Sequence, residues 1–138
     1  YAPVNRYATD IIGCLNNWVD GWVDWNMVLD KQGGPNWFKN WCVAPVIVDP
    51  DKDEVYFTPL YYTMAHFSKF MRPGAIKIGC TINHKEIITT AVKNPDGTIA
   101  IVVFNPTSEK QNIEIKLNNK IRIISIDGKA LQTIIIKS

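Results

Sequence analysis

The second half of the chain alternates short β-prone runs with turn-forming residues, and this pattern limits the folds open to it. The clearest turn signals are NPDG at 94–97, NN at 118–119 and DG at 127–128, each of which favours a reversal between antiparallel strands. The spacing is typical of a small antiparallel β-sandwich, which we predict from about residue 72 onward. The six predicted strands are residues 75–82, 87–93, 98–104, 112–117, 120–126 and 131–137.

The first half has two helical patterns and one hairpin pattern. Apolar residues at helical spacing predict a short helix from Tyr7 to Leu15. The runs VIVD at 46–49 and EVYF at 54–57, separated by PDKD, predict a hairpin. Thr58 is suited to cap a second helix whose first residue is Pro59. The apolar stripe of that helix consists of Leu60, Met64, Phe67 and Met71.

All five tryptophans lie between Trp18 and Trp41. The segment WVDGWVD at 18–24 alternates like a strand, but acidic and aromatic side chains fall on both of its faces. The glycines and proline of residues 27–44 favour an ordered functional loop. Indole rings can stack on the apolar C–H faces of sugars while Asn and Asp side chains bond the hydroxyls. Carbohydrate recognition is therefore the first function that these residues indicate, and a core packed with indoles is the alternative.

Charge and composition exclude several classes of protein. A net charge of +2, with scattered lysines, gives no reason to expect a nucleic-acid partner. No apolar run approaches the roughly 20 residues that a membrane span needs, and the first ten residues lack the pattern of a signal peptide. The start at Tyr1, without methionine, predicts a processed or truncated chain.

The candidate metal-binding and nucleophilic residues of the sequence lack the spacing that such sites require. The acidic run DPDKDE at 49–54 lacks the glycine and the final carboxylate of a calcium-binding EF-hand loop. Cys14, Cys42 and Cys80 are too widely spaced for a zinc pair, and we expect small buried or unpaired thiols. We expect His66 to pack or to form a hydrogen bond and not to act as a general base.

Several uncommon strings in register resemble the carboxy-terminal part of the glucosylceramidases of glycoside hydrolase family 30. These strings are GWVDWN at 21–26, GGPNWFKN at 33–40, PVIVD at 45–49, YYTMAHFSKF at 61–70 and AVKNPDGTIAIVVFN at 91–105. The resemblance implies the last part of a (β/α)8 TIM barrel followed by a C-terminal antiparallel β-sandwich. Residues 1–71 would form the barrel end and residues 72–138 the sandwich domain.

The resemblance also assigns each element a place in that architecture. The helix at 7–15 would follow barrel strand seven, residues 20–26 would be barrel strand eight, and residues 58–71 would form the final barrel helix. Residues 75–137 would supply the sandwich strands. Side chains at the carboxyl end of a barrel strand face the active site, so this position suits a substrate pocket.

Members of the family are retaining hydrolases that use two glutamates, a nucleophile and an acid/base, and need neither metal nor cofactor. By the resemblance, both glutamates belong upstream of Tyr1, and Glu54, Glu86, Glu109 and Glu114 match neither position. This chain would therefore supply no catalytic residue and would be inactive alone. The complete parent would hydrolyse glucosylceramide or a related β-glucoside.

The substrate side of the pocket can be carried over residue by residue. Trp25 matches the tryptophan that lines the glucose subsite, and Asn40 matches a loop asparagine that approaches the same site. Asp24 and Asn26 flank Trp25 and would hold the strand end and loop by hydrogen bonds. Trp22 would be structural. Trp41 stands where the animal glucosylceramidase of this family has phenylalanine, so the pocket rim would differ.

Partners and compartment follow only from the resemblance. The partners would be the glucoside substrate, the N-terminal part of the same chain, and a membrane surface or an activator protein. A lysosomal or secreted location is implied by analogy alone. The rival interpretation is a non-catalytic carbohydrate-binding or interaction β-sandwich module, against which the barrel-end string GWVDWN argues.

Overall fold

A computed structural model describes residues 2–137 as two helices and nine strands arranged in three sheets. The helices are α1 (Ala2–Asn16) and α2 (Pro59–Ser68). The first sheet contains β1 (Val28–Asp30), β2 (Val46–Asp49) and β3 (Glu54–Phe57) in that order. The remaining strands are β4 (Ile76–Lys77), β5 (Ile88–Lys93), β6 (Ile99–Asn105), β7 (Gln111–Leu117), β8 (Lys120–Ile126) and β9 (Ala130–Ile136).

Helix α1 begins at Ala2 and is therefore longer than the helix predicted from Tyr7 to Leu15. Pro3 lies in the first turn, where the missing N–H of proline breaks no helical hydrogen bond. Tyr7, Ala8, Ile11 and Ile12 are buried on one face, as the apolar spacing predicted. The helix ends where Trp18 adopts a positive φ of 65°, and the Asn17 backbone and side-chain nitrogens both bond the Gly13 carbonyl oxygen.

The strand predicted at residues 20–26 is wrong for this structure. No β-ladder includes these residues anywhere in the part of the chain that the structure describes. A strand needs a neighbouring strand for its backbone hydrogen bonds, and this segment first finds one at β1, which pairs in parallel with β2 through Val28 and Val46. The loop prediction for 27–44 missed β1, a three-residue strand within a Gly- and Pro-rich stretch.

The predicted hairpin and second helix are confirmed. β2 and β3 pair antiparallel, with Asp49 opposite Glu54. Thr58 precedes α2 in an extended conformation but makes no side-chain cap bond. Its hydroxyl donates instead to the carbonyl oxygens of Ala44 and Pro45, each at 3.0 Å. Thr58 therefore ties the start of α2 to the start of β2.

The sandwich prediction is confirmed for five of the six strands, within one residue at each end. The run at 75–82 forms only the short β4, beyond which Ile78 N–H still donates to the Ala91 carbonyl oxygen at 3.1 Å. Strands β4, β5, β6 and β9 form one antiparallel sheet, and β7 and β8 form the second.

Strand β6 is buried on both faces. Val102 and Phe104 belong to a core with α1 and α2, whereas Ile101 and Val103 belong to a second core. That second core includes Ile113 and Ile126 from the β7–β8 sheet. Because alternate residues of a strand point to opposite faces, β6 carries the helices on one side and the second sheet on the other.

The helical layer is fastened to the sandwich by polar contacts as well. Asn94, after β5, donates to the Phe70 carbonyl oxygen at 2.9 Å and accepts from the Arg72 N–H at 3.0 Å. Thr133 of β9 donates to the His66 carbonyl oxygen at 3.2 Å, and Nδ1 of His66 lies 2.8 Å from the Thr133 hydroxyl. The predicted hydrogen-bonding role of His66 is thus confirmed, and burial lowers the pKa of its imidazole.

Candidate substrate groove

A groove of about 690 Å³ opens beside α1 and the segment that follows it. Its walls come from separate parts of the first half of the chain: α1, the 24–33 segment, residues 41–43 and β2. The side chains that line it include Arg6, Tyr7, Asp24, Trp25, Asp30 and Trp41. The groove therefore combines aromatic rings with charged and hydrogen-bonding groups, as a sugar site requires.

Trp25 presents its indole to solvent within this groove. Its side chain is 82% exposed, although Asp24 beside it is fixed by a contact with α1. The Tyr7 hydroxyl donates to Oδ2 of Asp24 at 2.5 Å. Burial and the Asp24 carboxylate together raise the pKa of the Tyr7 hydroxyl, so this hydroxyl stays protonated and can donate.

Trp22 faces the protein and not the groove. Its indole N–H donates to Oδ2 of Asp10 at 2.6 Å, and its ring meets the Tyr7 ring edge-on, with the centroids 5.4 Å apart. It packs against the core beneath the helices. Asn26 is half-buried directly after Trp25.

The loop after β1 carries the other predicted contact residues. Trp41 lines the groove and is 54% exposed. Asn40 is exposed and lies beside it in sequence, but it is outside the groove lining. Trp37 and Phe38, in the same loop, are 91% and 85% exposed.

The groove residues that were not predicted from the sequence include Arg6, Tyr7 and Asp30. The sequence placed Tyr7 only at the start of a predicted helix, and Arg6 had no motif around it. Arg6 places its guanidinium 5.3 Å from the Tyr7 ring centroid. For Asp30 a local signal existed. An Asp side chain often accepts hydrogen bonds from the backbone N–H groups of a turn that follows it, and here a Gly-Gly-Pro sequence follows at residues 33–35.

The carboxylates in the groove are already engaged. Asp24 accepts from Tyr7, and Oδ1 of Asp30 accepts from two backbone N–H groups. The four glutamates lie outside the lining of this groove. Within residues 2–137, no group of three or more His, Cys, Asp or Glu side chains is placed to hold a metal ion.

Two other features of the chain bear on its class. Cys14, Cys42 and Cys80 are free, in agreement with the expected unpaired thiols, and each is half-buried. Neither α1 nor α2 has the length and apolar character needed to cross a membrane.

Comparison with known protein families gives two adjoining matches. The glycosyl hydrolase family 30 TIM-barrel domain matches residues 1–71. The glycosyl hydrolase family 30 beta sandwich domain matches residues 74–134. The resemblance noted from the sequence strings is thereby confirmed, as is the fold class of a barrel end followed by a sandwich.

Individual relatives agree with this assignment. The chain is 38% identical to putative glucosylceramidase 4 of Caenorhabditis elegans, over 99% of the chain and 28% of that protein. It is 40% identical to the lysosomal acid glucosylceramidase of Mus musculus, over 75% of the chain and 20% of that enzyme. An endo-1,6-beta-D-glucanase of Trichoderma harzianum is 32% identical over 73% of the chain and 22% of that enzyme. The chain thus spans less than a third of the length of these relatives.

Solved structures show the same fold. SrfJ from Salmonella typhimurium superposes with a TM-score of 0.95 at 26% identity, covering 98% of the chain and 30% of SrfJ. An endo-β1,6-glucanase superposes with a TM-score of 0.83 at 27% identity, covering 94% of the chain and 30% of that protein. With its barrel-end groove and β-sandwich, this chain belongs to glycoside hydrolase family 30.

Proposed function

We propose that the chain forms one wall of the substrate pocket in a retaining β-glycosidase that hydrolyses glucosylceramide or a related β-glucoside. Residues 1–71 belong, on this proposal, to the catalytic barrel and residues 72–138 to the sandwich domain. The observation that carries the proposal is the exposed Trp25 indole, held in a groove by the Tyr7–Asp24 hydrogen bond. The names of the relatives, glucosylceramidase and endo-1,6-glucanase, support a β-linked glucose unit as the recognised group.

The proposed roles follow from the chemistry of each side chain. The indole of Trp25 stacks on the C–H face of the glucose ring. Both surfaces are apolar, so they leave water with little loss of polar hydration. Asn40 bonds a sugar hydroxyl from the exposed loop. Asp24 holds the Trp25 backbone in place, and Trp41 forms the neighbouring rim of the groove.

The catalytic pair lies, on this proposal, outside these 138 residues. A retaining glycosidase needs two carboxyl groups about 5–5.5 Å apart at the scissile bond. Asp24 and Asp30 are occupied by structural hydrogen bonds. Glu54, on the hairpin, accepts a hydrogen bond from Tyr56, and Glu114 is exposed on β7, away from the groove.

The test of the substrate contact is a pair of matched substitutions in the complete enzyme that contains this segment. Trp25→Ala should lower kcat/KM on a fluorescent glucosylceramide by about tenfold or more, since that ratio reports lost transition-state binding. Trp18→Ala is the matched control, because Trp18 is 78% exposed but lies outside the groove. Equal losses in the two variants would contradict the assignment of Trp25.

The placement of the catalytic glutamates outside this chain has its own test. The 138-residue polypeptide should show no turnover of glucosylceramide or of a β-1,6-linked glucan, whereas the complete enzyme should hydrolyse at least one of them. Turnover by the short polypeptide would overturn the placement of the catalytic glutamates. Sugar binding without turnover by the complete protein would favour the non-catalytic module instead.

A further inference from the structure

The carboxylate of Asp30 organises the turn that begins the groove loop. Its Oδ1 accepts from the backbone N–H of Gln32 at 2.8 Å and of Gly34 at 2.9 Å. The backbone of Asp30 closes the same turn, because its N–H donates to the Gly34 carbonyl oxygen at 2.7 Å and its carbonyl oxygen accepts from Gly33 N–H at 2.9 Å. Four hydrogen bonds thus hold five residues in one conformation.

This turn is joined directly to the far end of the loop. Gly33 has a φ of +88°, and a β-carbon there would lie 2.3 Å from the Cys42 carbonyl oxygen. The Gly33 carbonyl oxygen accepts from Cys42 N–H at 3.1 Å. Only glycine permits both the positive φ and this backbone approach. The position of Cys42, and of Trp41 before it, is therefore set by the turn.

Gly34 provides the surface on which the Trp41 indole rests. A β-carbon at Gly34 would lie 3.1 Å from Cζ3 of Trp41 and 3.2 Å from Oδ2 of Asp30. The indole edge and the second carboxylate oxygen therefore converge over the bare face of one glycine. Asp30 and Trp41 both line the groove that holds Trp25.

We propose that Asp30 is a positioning residue, which fixes the Gly33–Gly34 turn so that Trp41 forms a second aromatic wall for the substrate opposite or beside Trp25. This inference rests on the proposed function, because it assigns Trp41 a contact with the β-glucoside. Asp30 itself need not touch the sugar. The requirement is an oxygen acceptor at Oδ1 and not a negative charge, since both bonds come from neutral backbone N–H groups.

The experiment compares three variants of the complete enzyme. Asp30→Ala removes the acceptor, whereas Asp30→Asn keeps one amide oxygen that can take both N–H bonds. The matched control is Asp96→Ala, because Asp96 accepts from the N–H and hydroxyl of Thr98 in a glycine-containing turn of the sandwich. Kinetics are measured on a fluorescent glucosylceramide, and hydrogen exchange at the Gln32, Gly34 and Cys42 amides is measured without substrate.

Asp30→Ala should raise KM about tenfold with kcat within about threefold of wild type, as loss of uniform binding predicts. Asp30→Asn should restore KM to within about threefold of wild type, and Asp96→Ala should leave it unchanged. An unchanged KM in Asp30→Ala, equal defects in the Ala and Asn variants, or an equal defect in Asp96→Ala would overturn the inference.

Hydrogen exchange separates this inference from the proposed function. The three loop amides should lose protection in Asp30→Ala and keep it in Asp30→Asn, whatever the enzyme hydrolyses. If wild type shows no turnover while the exchange result holds, the proposed function fails and the positioning of the turn by Asp30 stands. If wild type is active and exchange is the same in all variants, the role of Asp30 fails alone.

Discussion

The tryptophan segment, residues 18–41, and strand β6 differ in how far their large apolar side chains are exposed. In the first region Trp25, Trp37 and Phe38 are more than four-fifths exposed. In the second, Val102 and Phe104 of β6 are fully buried. Large exposed apolar surfaces on soluble proteins mark places where something else binds. On the proposed function, the exposed segment receives the substrate or another part of the protein, whereas the buried residues of β6 stabilise the fold.

The polar side chains follow the same division. Asn40 is exposed in the groove loop, whereas Asn105 is fully buried at the end of β6. The Asn105 amide donates to the carbonyl oxygens of Glu109 and Asp127, and its oxygen accepts from the Thr107 backbone and hydroxyl. A buried amide with all partners satisfied fixes structure, and an exposed amide with free valences can bind a ligand.

The largest expected effect comes from truncating the same residue type in both regions. Phe104→Ala should lower the free energy of unfolding by about 3–5 kcal/mol, because it removes a fully buried ring and leaves a cavity. Phe38→Ala should change it by less than about 0.5 kcal/mol, since the ring is exposed. Denaturant unfolding of the two variants measures the difference, and similar losses would break the comparison.

A second pair tests the amides. Asn105→Ala should lower the free energy of unfolding by about 1–3 kcal/mol, because buried backbone groups lose their partners. Asn40→Ala should leave stability within about 0.5 kcal/mol of wild type and act instead on substrate binding in the complete enzyme. Urea titration and glucoside kinetics on both variants distinguish the two outcomes. A stability loss in Asn40→Ala alone would reverse the comparison.

The smallest effect concerns alkaline pH. All five tyrosines lie at or before Tyr62, and the pKa of Tyr7 is raised by burial and by Asp24. A raised folded-state pKa gives stability that is complete below the ordinary tyrosine pKa and is lost as the pH rises through the higher folded value. The free energy of unfolding should therefore decline above about pH 10, and less so in Tyr7→Phe. Identical pH profiles for the two proteins would contradict this.

The sequence predicted the sandwich well because its strands depend on local signals. Period-two apolar runs and the NPDG, NN and DG turns predicted five strands of the second half. The pairing of β6 with β9, which lies beyond β7 and β8 in sequence, has no such local signal. The strand predicted at 20–26 failed because a strand is defined by its neighbours. β1 was missed for the same reason, since Val28–Asp30 is short and its strand conformation depends on pairing with β2.

The groove was predictable only in part. Trp25 and Trp41 could be named from their family strings, and both line it. Tyr7 could not, because its role arises only when α1 meets the tryptophan segment. Asp30 had only the local signal of the glycine-rich turn that follows it. Asn40 was named from the same strings but lies outside the lining, so its substrate contact remains a prediction.

The two-faced burial of β6 affects how parts of this family can be recombined. The family models meet between residues 71 and 74, which suggests a convenient junction for chimeras. Yet Val102 and Phe104, beyond that junction, complete the core under α1 and α2. A sandwich transplanted from a relative would bring its own version of that surface, so the helices and β6 must be exchanged together to keep their packing matched.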